Sequence, residues 1–148
     1  MGRERSGIWK HLCLCIAGLI FIFFAGCAAL QEIKKEETAR EYIVRGQDLL
    51  AHDDYESSLK ENQEALSLSG KNPPGDEALF NMGLIYCHYG YSQKDYKKSL
   101  GLFKRLLKEH PQSHLVEQAK IWIGVLEVIE KTKQVDIEIE EKKKELSR

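Results

Sequence analysis

Asp76 to Pro111 reads DEALFNMGLIYCHYGYSQKDYKKSLGLFKRLLKEHP, and the rest of the chain can be phased against it. Leu79, Phe80, Met82, Gly83, Leu84 and Tyr86 form the apolar set of one amphipathic helix. Tyr96, Leu100, Phe103, Leu106 and Leu107 form that of a second, and YGYSQ (Tyr89 to Gln93) is the turn between them. Asp76 is placed to cap the first helix and Pro111 to end the second. The spacing predicts a helical hairpin with the second helix running from about Lys94 to Glu109.

The same phase recurs upstream. Gly46, Leu49, Tyr55, Ser58 and Ala65 stand at steps of three, six, three and seven. Gly83, Tyr86, Tyr96, Ser99 and Leu106 repeat those steps, with four extra residues in the turn. A helix is therefore expected from Ala39, a polar turn at His52 to Asp54, and a second helix from Tyr55 that stops at GKNPPG (Gly70 to Gly75). The small residues let paired helices approach closely, while the tyrosines and Phe103 fill the wedge between successive pairs. Asn62 stands where the second hairpin has Phe103, and Gly70 where it has Pro111.

This pattern resembles the tetratricopeptide repeat. Pro111, Ser113, Ala119, Trp122 and Gly124 are similar to the opening of a third repeat in lipoproteins of the bacterial envelope, including those of outer-membrane assembly. The resemblance covers residues 39–126 and implies an all-α array of about two and a half repeats. In that family an extended segment or helix lies along the first helices of the repeats. The matching positions here are Arg40, Ile43, Gln47 and Leu50, then Glu77, Phe80, Leu84 and His88, then Gln118, Ile121 and Val125. Self-capping by the last helix is the competing use of this strip. Tyr89 and Tyr91 are a second candidate contact, with burial against the hairpin as the alternative.

From Gly124 the chain runs on as VLEVIEKTKQVDIEIEEKKKELSR. Val128, Thr132, Val135, Ile139 and Leu146 fall at alternating steps of four and three, with Lys142 in one seam position, so residues 127–148 suit a helical extension or a coiled coil that makes a homo-oligomer. The period-two run VDIEIE leaves a strand as the alternative, which the flanking lysines and glutamates disfavour.

The N-terminus has its own character. Arg3, Arg5 and Lys10 precede an uncharged run from Leu12 to Leu30, the form of a secretory signal. Phe24, Ala25, Gly26 and Cys27 resemble a lipobox, with Phe24 in place of the usual leucine. That resemblance implies a signal peptide over 1–26, a lipid on Cys27 and a polar tether over 27–38. Ala28 lacks the aspartate that retains such proteins at the inner membrane, which points to the periplasmic face of the outer membrane. An uncleaved signal anchor, which would hold an accessory or regulatory subunit of an envelope complex, is the alternative; both place the body outside the cytoplasm.

Removing residues 1–26 takes three basic residues and one acidic one, and leaves a formal charge of −3. Such a surface has no field to hold a phosphate backbone, so nucleic acid is not an expected partner. Cys87 is left alone in the body and is expected to pack in a helix. The histidines are scattered, and His110 and His114 are split by Pro111. Neither a metal, a cofactor nor a catalytic role is expected. The expected partner is an envelope protein or peptide, with the membrane reached through the lipid.

Overall fold

The computed structural model describes residues 30–147, and these are helical with no strand among them. The helices are α1 (30–51), α2 (Tyr55–Ser69), α3 (Gly75–Cys87), α4 (Tyr96–Glu109) and α5 (Val116–Leu146). The chain divides into two compact units, Met1–Glu37 and Thr38–Arg148. Of the first, residues 30–37 are described. They are helical, so the backbone is already wound ahead of the expected start at Ala39, with Lys35 and Glu32 paired at 3.4 Å.

The turns form where short polar side chains compete for backbone donors. Asp53 takes a left-handed conformation at φ 58°, and Asp54 accepts from the Ser57 N–H at 3.2 Å to cap α2. Gly70, also at φ 58°, donates to the Leu66 carbonyl and ends α2. Asp95 caps α4 by accepting from the Lys98 N–H at 3.0 Å, and its own N–H donates to the Tyr86 carbonyl at 2.8 Å. The helix end and the turn are thereby tied together.

One cap differs from expectation. α3 starts at Gly75 behind Pro74, so Asp76 sits inside its first turn rather than capping it. Its carboxylate is engaged elsewhere: Oδ2 accepts from Ser113 Oγ, thirty-seven residues on. Ser113 in turn accepts from the Leu115 N–H at 3.1 Å, one residue ahead of α5. The run VDIEIE is helical and lies within α5.

Successive helices pack side by side, α2 on α3, α3 on α4 and α4 on α5. The two hairpins share one contact. Ser58 Oγ donates to the Gly46 carbonyl at 2.6 Å, and Ser99 Oγ donates to the Gly83 carbonyl at 2.6 Å. Both serines are fully buried. A Cβ on Gly46 would meet Asn62 Nδ2 at 2.6 Å, and one on Gly83 would meet the Phe103 ring at 2.8 Å. Asn62 and Phe103 therefore hold the same place against the paired helix.

Phe103 is the hub of the second hairpin. Its ring meets Phe80 edge-on at 5.4 Å and lies parallel to Trp122 of α5 at 6.3 Å. Asn62 replaces that packing with hydrogen bonds: it donates to the Ser58 carbonyl at 2.8 Å and accepts from Asn81 Nδ2 at 3.0 Å. A buried amide is tolerable because it is paired on both sides.

Helical glycines thus divide into two kinds, which thermal melts can separate. Gly83→Ala is expected to destabilise the fold by about 1–2 kcal/mol, because crowding against Phe103 outweighs the better helix propensity of alanine. Gly101→Ala in α4, where an added Cβ meets nothing within 4 Å, is expected to stabilise it by up to about 1 kcal/mol. Equal shifts for the two variants would refute the close-approach account.

Candidate functional site

The strip expected along α1, α3 and α5 is divided between core and surface. Ile43 and Phe80 belong to the buried core, Phe80 being 8% exposed. Leu50, Glu77, Leu84 and His88 are half-buried. Arg40, Gln47 and Gln118 are exposed, as are Ile121 (67%) and Val125 (45%). Arg40 reaches across from α1 to α3, 3.6 Å from Glu77. The apolar side chains of the first two helices are thus largely spent on packing α2 and α4, while those of α5 face solvent.

The YGYSQ loop is built around Tyr91 rather than offering it. Tyr91 is 4% exposed, and its hydroxyl donates to Glu56 Oε1 at 2.8 Å. Gln93 Nε2 donates to the same oxygen at 2.8 Å. The Tyr91 ring lies 5.4 Å from that of Tyr55 and 6.1 Å from that of Tyr86. Of the two uses expected of Tyr91, contact or burial against the hairpin, the packing takes the second: its hydroxyl needs a partner, and α2 supplies one. Tyr89, at 87%, is the exposed member of the pair, with its ring 4.7 Å from that of His88.

Gly90 between them is required by close approach, since a Cβ there would meet the Tyr55 hydroxyl at 2.5 Å. Its N–H donates to His88 Nδ1 at 3.2 Å, which leaves the proton of the neutral ring on Nε2. The Tyr55 hydroxyl donates to Asp53 Oδ1 at 2.7 Å, and that bond is the chief cause raising its pKa to about 12. Burial, seconded by the bond to Glu56, pushes Tyr91 up to about 12.

A cleft of about 530 Å³ opens at the α2–α3 and α4–α5 connections, lined by Arg40, Lys71, Glu77, Glu109, His114 and the Asp76–Ser113 pair. His110 also lines it, with its ring against Gly75. Asp76 Oδ1 and His110 Nε2 are buried there without a hydrogen-bond partner. No sequence spacing announces this cleft, because it joins α1, the start of α3 and two separate connecting turns. The nearest signals were the Pro73–Pro74 and His110–Pro111 breaks that put those turns at one end.

Among the described residues, no group of three histidine, cysteine, aspartate or glutamate side chains is placed to share a metal ion. The Cys87 thiol donates to the Leu84 carbonyl at 3.3 Å, and burial pushes its pKa up, so it is a packed thiol rather than an activated one. Phe24, Ala25, Gly26 and Cys27 lie outside the described residues. No helix among those described is long and apolar enough to cross a membrane. No family model, curated protein or solved structure matches the chain.

The loop anchor predicts a particular alkaline transition. The fold favours the neutral Tyr91 phenol, so its contribution is whole below about pH 10, where an unfolded tyrosine titrates, and is lost as pH rises towards about 12. Tyr91→Phe is expected to cost about 1 kcal/mol at neutral pH and to flatten the fall in stability between those values. Tyr55 keeps part of the fall in both proteins. Urea melts of the two proteins from pH 8 to 12 would show it; parallel curves would mean that Tyr91 is not held as described.

Proposed function

We propose that this chain is a lipid-anchored, extracytoplasmic adaptor of the bacterial cell envelope, built as a tetratricopeptide-like array of about two and a half repeats. The observation that carries the repeat reading is the serine-to-glycine hydrogen bond found at 2.6 Å in both hairpins, at positions set by one sequence phase. The partner is an envelope protein or peptide that meets the exposed part of the strip, where Arg40 and Gln47 precede the half-buried Leu50 on α1. Anchoring is through Cys27, after a charged n-region, an apolar run and two small residues. The placement is the periplasmic face of the outer membrane.

Two measurements test the two halves of this reading. Cys27→Ala, or globomycin treatment, is expected to hold the protein at precursor size and remove it from the outer-membrane fraction. Unchanged processing and fractionation would exclude the lipid anchor. A photo-crosslinking residue at Gln47, which is exposed and outside the core, is expected to trap one discrete envelope protein in intact cells. Absence of any such adduct would exclude this face as the adaptor surface.

A further inference from the structure

α5 is 31 residues long, and its supported part ends early. Ala119, Trp122, Ile123, Leu126 and Ile129 join the core, and Lys104 of α4 pairs with Glu127 at 2.7 Å. From Lys131 to Ser147 every residue is exposed. Such a stretch makes no tertiary contact of its own, and most helical stability in proteins comes from packing an amphipathic face rather than from propensity. Its persistence asks for a second surface.

The side chains turned to solvent supply one. Ile121, Val125, Val128, Val135, Ile139 and Leu146 are all exposed and follow the four-three spacing of a heptad seam for nearly four heptads. The seam lies on a different face from Ala119, Trp122 and Leu126, so α5 can keep α4 and take another helix as well. Thr132 interrupts it at low cost, because its hydroxyl already donates to the Val128 carbonyl at 3.0 Å. Lys142, near the end, has a stem long enough to carry its charge to the rim.

We propose that this seam binds a second copy of the chain as a parallel, in-register coiled coil. Charge selects both the partner and the direction. With Val125, Thr132 and Ile139 at the a positions, Lys131 and Glu138 fall at g, and Asp136 and Lys143 at e. Parallel pairing sets each g residue against the e residue five places further on in the other copy. Lys131 then faces Asp136 of the partner subunit, and Glu138 faces Lys143 of the partner subunit, with each pair formed twice. An antiparallel pair centred on Thr132 and Val135 brings only Lys131 against Glu138, and leaves Asp136 and Lys143 opposite apolar side chains. Among the described residues, Lys131, Asp136 and Lys143 make no ion pair within their own chain, so these charges are available. Valine at the d positions admits a third strand, which the same g-to-e pairs would serve.

Sedimentation of the full chain in detergent at tens of micromolar tests this without reference to where the protein is anchored. A dimer or trimer is expected, and a monomer would overturn the proposal. Val135→Glu, at an exposed position, is expected to give monomer with the helices of the body retained by circular dichroism. Lys131→Glu is expected to weaken association roughly tenfold, since attraction becomes repulsion at two sites. Adding Asp136→Lys is expected to restore it. Restoration by Glu138→Lys instead would show antiparallel pairing and refute the assignment.

Discussion

The hydrogen bond from a buried serine hydroxyl to a glycine carbonyl, made once in each hairpin, constrains the rest of the packing. It forms only if the paired helices come close enough for a Cβ on the glycine to collide with its neighbour. The serine also solves a problem that close packing creates. A polar side chain on a helix face pressed against another helix has to find a partner there, and the facing backbone carbonyl accepts. Close approach at Gly46 and Gly83 then dictates what fills the space beside it. Phe103 does so with a ring that reaches Phe80 and Trp122 at once, and Asn62 with an amide linked to Ser58 and Asn81. The first hairpin is held by polar complementarity where the second uses apolar area.

That packing determines which surface is left over. Ile43 and Phe80 were expected to face a partner, yet they lie in the core, because a small helical body has few apolar side chains with which to fill it. The exposed remainder on α1 and α3 is mostly polar, whereas Ile121 and Val125 of α5 stay outside. The inserted loop follows the same economy. Tyr91 and Gln93 both converge on Glu56, which fixes the loop against α2, and Tyr89 is left to solvent.

Helix type and the contact at Gly46 and Gly83 were legible in the sequence, since period 3.6 and the spacing of small residues are local properties written in one dimension. Helix limits were less so. Asp76 reads as an N-cap because aspartate commonly is one, but Pro74 already sets the helix start and Ser113 claims the carboxylate from a distant turn. Tyr91 shows the same limit. Its burial depends on Glu56, thirty-five residues away, and no local pattern reports that pairing. The cleft beside Asp76 and His110 is likewise assembled from turns whose convergence only the packed helices reveal.

α5 carries two demands in one segment. Against α4 it has Ala119, Trp122, Leu126 and Ile129, which serve a straight helix in a packed body. Against solvent it has a seam spaced at 3.5 residues, which on a straight helix drifts by about 20° per heptad. Both stripes step alternately by three and four, so they keep a fixed offset around the helix, but the one against α4 stops at Ile129 while the seam runs on to Leu146. The contacts divide accordingly: residues up to Ile129 join the core, and from Lys131 the helix is exposed on every side. A supercoil formed beyond that point would restore the match between seam and helix without disturbing the face committed to Phe103.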